Sequence, residues 1–219
     1  MKKSILLTLA AVILVSGSVF GQMDYSRQKF GVGLDLGIGF TSGLDAKKEL
    51  ELNADVKSST GAVLKFGAVG RVKIVQGLYL QPFFNFAFYG ESLDLSGLVA
   101  QTNQGNVALK ELEWSTTHIS FGVIPTYYMR FRDVPIHPFG GLGIKLHSHS
   151  FGSPTLKYEG GETEIESDSK FGFGISPIVG AEYVMSGNIA IPLYLQFDLI
   201  FSDNVSNVFV IGTGFIKYF

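Results

Sequence analysis

Three of the four histidines, His118, His147 and His149, together with Ser120 two residues from the first of them, are the side chains best suited to chemistry in this sequence. Neutral imidazole is a good ligand for zinc, copper or nickel, and three rings brought together from two paired strands would make one facial metal site. The plainer role is a wet polar rim, with the rings sharing hydrogen bonds with Ser148 or Ser150. Hydrolysis would need Ser120, His118 and a carboxylate within mutual reach. No acid is spaced so as to be forced close, and there is no Gly-x-Ser-x-Gly elbow, His-Glu-x-x-His pair or phosphate-cradling glycine loop. Neither an enzyme nor a cofactor is therefore expected. The absence of cysteine removes thiolate metal sites, disulfides and an N-terminal lipid anchor. A further acidic stripe, Glu162, Glu164, Glu166 and Asp168, reads as a solvated face or as a place where calcium or magnesium bridges to phosphate groups.

What would position these groups is a set of strands. Phe30, Val32, Leu34, Leu36, Ile38 and Phe40 alternate with Gly31, Gly33, Asp35, Gly37 and Gly39. Period two puts every large apolar group on one face of a strand, a sorting that a helix cannot make. Leu78 to Phe88, Ile119 to Met129, Phe171 to Tyr183 and Ile189 to Leu199 repeat the pattern, and Ala62 to Ile74, Pro135 to Ser148 and Ser206 to Phe219 carry weaker versions. That makes eight strands, each long enough to cross a bilayer when tilted, since about 9 to 11 residues suffice. An even number suits a closed antiparallel barrel. No apolar run after residue 22 reaches the roughly 18 residues of a spanning helix.

Chain order supports the same architecture. Met1-Lys2-Lys3, the apolar run from Ile5 to Leu14 and small residues through Gly21 form a secretory leader, removed to leave Gln22 first. The barrel domain is then residues 22–219. Without Lys2 and Lys3, 15 basic residues face 19 acidic ones, and no basic patch points to nucleic acid. The connections at Val75-Gln76-Gly77, Phe131 to Val134 and Ser186-Gly187-Asn188 are short, whereas Thr41 to Gly61, Gly90 to Glu113 and His149 to Ser169 are long and polar. Short turns belong to the periplasm and long loops to the exterior. The fold class expected is all-β: an eight-stranded antiparallel up-and-down transmembrane β-barrel in the bacterial outer membrane.

Strand parity then sorts the charges. Asp35, Lys65, Arg71, Lys73, Lys145, Glu182 and Asp198 fall on the lumen face, where buried charges must pair. Eight strands leave room for side chains alone, so these groups plug the barrel and no diffusion pore is predicted. Residues equidistant from the turn near Asp133 face one another, which places His118 beside His147 and His149 near the outer mouth. Leu156 to Ile165 reads as a hairpin turning on Gly160-Gly161, with Tyr158 opposite Thr163 and Lys157 opposite Glu164, extending the strands on either side of it in sequence. Phe88 and Trp114 outside, and Tyr127, Tyr183 and Tyr218 inside, suit interfacial girdles.

Leader, alternating strands, short inner turns, long outer loops and a terminal aromatic together resemble the small outer-membrane barrels of Gram-negative bacteria, the OmpA/OmpX-like and PorT-like group. The resemblance covers the whole mature chain. It implies a C-terminal assembly signal read by the barrel assembly machinery, carried here by Phe215, Tyr218 and Phe219, with Lys217 where an aromatic is commoner. It also implies contact with outer-membrane lipids and lipopolysaccharide, and an external protein partner held by the loops or a structural envelope role. Competing expectations are a lipid A-modifying barrel enzyme, a secretion-associated PorT-like component, and a soluble lipocalin-like barrel with a polar exterior and an apolar cavity.

Overall fold

The computed structural model describes residues 29–42, 61–102, 105–129, 131, 134–151, 155–164, 169–185, 188–201 and 205–219. The leader, most of the segment from Thr41 to Gly61, and Glu166 and Asp168 of the acidic stripe lie outside them. Eleven strands follow in order: β1 Phe30–Ser42, β2 Gly61–Val75, β3 Leu78–Asp94, β4 Val99–Thr102, β5 Gly105–Tyr128, β6 Ile136–Phe151, β7 Thr155–Tyr158, β8 Gly161–Glu164, β9 Lys170–Met185, β10 Ile189–Phe201 and β11 Val205–Tyr218. Eight of them are staves. β1, β2, β3, β5, β6, β9, β10 and β11 pair in that sequence, and β11 returns to β1, every pairing antiparallel. Closure leaves the barrel wall without an edge strand, the one arrangement of strands that can face hydrocarbon.

The parity read from sequence holds around the wall. Leu34, Leu36, Ile38, Leu64, Phe121, Leu142, Ile144, Phe173, Leu193 and Ile211 point outward and are exposed, while Asp35, Lys65, Gln81, Lys145, Glu182 and Gln196 point inward and are buried. The lipocalin-like sorting is the reverse of this. Four prolines interrupt the ladders: pairing lapses beside Pro82 between β2 and β3, Pro125 between β5 and β6, Pro177 between β9 and β10, and Pro192 between β10 and β11. Each keeps its other neighbour, so a missing N–H costs one side only. At Pro192 the Thr213 hydroxyl donates to the proline carbonyl at 2.8 Å across the lapse.

Two expectations about the outer connections are corrected. Gly90 to Glu113 is no simple polar loop: β3 runs to Asp94 and β5 begins at Gly105, with β4 paired on β5 through Val99–Ala108 and Thr102–Gly105. The hairpin also has a different register. Leu156 faces Thr163 and Lys157 faces Glu162, so the turn is Glu159-Gly160. Gly160 alone supplies the positive φ, at 106°, and Gly161 is free to enter β8. The hairpin continues β6 and β9 above the wall in their own register, and β7 carries the pairing of β6 further along β5, Leu112 facing Leu156 and Glu113 facing Thr155.

Glycine opens space inside the wall. A Cβ on Gly212 would fall on the Tyr194 ring, which crosses the lumen from β10. Gly212→Val is expected to lower stability by about 1–3 kcal/mol through overpacking, read from urea unfolding of the detergent-folded protein. An unchanged midpoint would mean that the Tyr194 ring has another place to go.

Candidate functional site: a plugged lumen beneath an extramembrane sheet

The inward charges form two clusters. On the turn side, Arg71 of β2 and Glu182 of β9 pair across the lumen, both buried. Arg71 Nε donates to Gln81 Oε1 at 2.6 Å, its Nη1 donates to the Tyr218 hydroxyl, and the Tyr218 hydroxyl donates to Glu182 Oε1 at 3.1 Å. The guanidinium also stands over the Tyr128 ring, 4.9 Å from its centroid. Higher up, Lys65 bridges Asp35 at 2.9 Å and donates to Gln196 at the same distance, Gln196 donates to Asp198 at 2.8 Å, and Asp198 pairs with Lys145 at 2.7 Å. Tyr194 donates to Asp35 and lies under the Lys65 ammonium. Lys73 is half-buried beside the register shift of β2. Long side chains from opposite walls thus meet in the middle and close the lumen. Between the clusters remains a cavity of about 40 Å³ lined by Asp35, Arg71, Gln81, Asn85, Tyr194 and Gln196. Its remaining wall is apolar, from Leu34, Val69, Phe83, Ile124, Ile178 and Ile216 among others.

Tyr218 is not an interfacial ring: it is 1 % exposed and faces the lumen. The odd positions of β11 meet the outside instead, with Ile211, Phe215 and Phe219 exposed and Lys217 half-buried near the end. A lysine at that height reaches the interface with its ammonium while its stem covers apolar surface. Tyr127 and Phe88 do face outward, and Tyr183 is half-buried on the outward parity. The Trp114 side chain is outside the described residues.

Near the outer mouth, His118 of β5 and His147 of β6 face one another with ring centroids 4.7 Å apart, and the Tyr89 hydroxyl of β3 lies 3.0 Å from His118 Nδ1. His149 is the backbone register partner of His118, and its side chain is outside the described residues. His137 is buried at the opposite end.

Above the mouth, β5 continues. Its 24 residues greatly exceed the roughly 9 to 11 needed to cross, so about half the strand stands clear of the barrel. β4 flanks this extension on one side, β7 and then β8 on the other, and β8 is exposed throughout. Leu95 and Leu112 are buried within it. Glu162 and Glu164 share one exposed face of β8. Lys157 of β7 bridges Glu113 of β5 at 2.5 Å and approaches Glu111 at 3.8 Å.

Comparison with solved structures gives the fold a place. The outer membrane protein OprG from Pseudomonas aeruginosa is similar over 88 % of this chain and 96 % of its own, at 13 % identity and a TM-score of 0.56. The fold is that of an outer-membrane β-barrel. Neisserial surface protein A matches over 87 % and 97 % at 14 % identity, with a TM-score of 0.46. No family model and no curated protein matches the sequence.

The outer bridge predicts a pH dependence for the docked hairpin. Hydrogen bonding from Lys157 holds the Glu113 carboxyl below the usual carboxylate range, and Glu113 in turn raises the Lys157 ammonium. A lowered carboxyl stabilises the docked hairpin above its ordinary range and loses that contribution as pH falls through its folded value; the raised ammonium loses its own only at alkaline pH. Amide exchange across 155–164, corrected for intrinsic rates, is expected to accelerate between pH 7 and pH 3. Lys157→Met should flatten that dependence, and an unchanged profile in this variant would show that the bridge does not hold the hairpin.

Proposed function

We propose that this chain is an integral protein of the bacterial outer membrane whose barrel is an anchor and whose binding surface is the sheet built on the outer half of β5. The observation that carries this reading is the pairing of a lumen closed by side chains with an ordered four-strand extension above it. A closed lumen favours anchoring over passage, and an exposed strand edge offers backbone donors and acceptors to an extended segment of another protein. The outward apolar belt would sit among lipids and lipopolysaccharide, and β11 with Phe215 and Phe219 would be engaged by the assembly machinery. Catalysis forms no part of the proposal.

Because the chain has no cysteine, its orientation can be read with single introduced thiols. In intact cells, Thr163→Cys on β8 is expected to react with a membrane-impermeant maleimide, and Gln76→Cys at a turn only after permeabilisation. Equal labelling of both in intact cells, or of neither, would refute outer-membrane anchoring with an external sheet. The binding role predicts that replacing residues 155–164 by a short Gly-Ser turn leaves a heat-modifiable barrel but removes cell-surface attachment; attachment that survives would place binding elsewhere.

A further inference from the structure

The geometry points to a divalent transition-metal site at the outer end of the lumen, with His118 and His147 as its protein ligands. A nitrogen ligand sits about 2.0–2.1 Å from zinc, which puts the ring centroid about 3.2 Å from the ion. Two such rings separated by about 90–110° at the metal have centroids roughly 4.5–5.2 Å apart. The observed separation, 4.7 Å, falls within that interval. The rings come from adjacent staves, with their planes inclined at 40°.

Two features hold them there. Tyr89 approaches His118 Nδ1 at 3.0 Å, so that Nε2 is the nitrogen a metal would take. Metal-bound histidines typically have such an outer partner on the second nitrogen, which fixes ring and tautomer. On the far side, a Cβ on Gly172 would stand only 2.6 Å from His147 Nε2, so the absence of a side chain there leaves the space the imidazole occupies. The chemistry selects the ion class. Neutral nitrogen donors without thiolate suit Cu²⁺, Ni²⁺ or Zn²⁺ and not the oxygen-seeking Ca²⁺ or Mg²⁺. Nearby charge does not repel the ion overall, since Lys145, two residues from His147, is matched by Asp198. With two protein ligands, the remaining coordination positions fall to water.

The test uses the untagged full-length mature protein, folded in detergent, with Cu²⁺ alone as the probe. Isothermal titration is expected to show one site, and the electron paramagnetic resonance spectrum hyperfine splitting from at least two nitrogens. His118→Gln and His147→Gln should each weaken binding tenfold or more and remove one nitrogen, while retained heat-modifiable migration shows that each variant has folded. His137→Gln, at the other end of the lumen, should change neither readout. Copper binding that survives in the His118→Gln, His147→Gln double variant, or that depends equally on His137, would overturn the assignment. Mg²⁺ competing at equal concentration would overturn it as well.

Discussion

Glu182→Leu is expected to cost about 3–5 kcal/mol, because it strands a buried guanidinium without its carboxylate. Arg71 is 1 % exposed, and Gln81, Tyr218 and the Tyr128 ring, which also touch it, are neutral. Arg71→Met should cost a similar amount by leaving the carboxylate with Tyr218. The pair together should not cost the sum. Arg71→Met with Glu182→Leu exchanges two desolvated charges for apolar groups of comparable length, and replacements of that kind are often neutral or stabilising. A double-mutant cycle by urea unfolding in phospholipid vesicles separates the cases: strong coupling is expected, with the double variant near the parent. Additive losses would mean that the two residues act separately, and the picture of a lumen closed by this cross-wall pair would have to be abandoned.

Which residues enter the lumen was legible because strand parity is binary: once Leu34 and Leu36 face out, Asp35 must face in. Partner choice was not. Arg71 and Glu182 lie on opposite walls, 111 positions apart in sequence, and meet only because the barrel is narrow enough for long side chains to span it. The contact of His118 with His147 was within reach because two adjacent staves share one turn, so that a single hairpin register decides it. The Leu156 hairpin shows the opposite case. Two consecutive glycines offered two turns, and the one adopted needs a single positive φ, which Gly160 provides. Its place above the wall was legible, since β7 and β8 keep the register of β6 on β9, but the 24 residues of β5 that receive it were not, because local alternation does not say where a strand outruns its barrel. Lys217 obscured the parity of β11, because a lysine near a strand end can be placed either inside or at the interface. Packing against Glu182 settles it by drawing Tyr218, and not Lys217, inward.

An arginine placed on the outer belt distinguishes a membrane wall from a wet one. Leu36 is at the middle of β1, 55 % exposed, flanked by Phe66 and Thr213 on the neighbouring staves. Val99 on β4 is equally bare, at 60 %, but belongs to the extension above the barrel. In water the two substitutions Leu36→Arg and Val99→Arg would be nearly equivalent, each within about 0.5 kcal/mol of neutral, as exposed sites usually are. In a bilayer they separate. Arginine near the midplane of a barrel wall costs about 2–4 kcal/mol, falling toward zero at the interfaces, so Leu36→Arg should destabilise by that amount in phospholipid vesicles while Val99→Arg stays neutral. The contrast bears on the belt alone, since neither residue touches the lumen clusters. A neutral Leu36→Arg would mean that the apolar face of β1 does not meet hydrocarbon. The exposed leucines, isoleucines and phenylalanines of the wall would then need a protein to cover them, and the anchor reading would give way to an assembly of barrels.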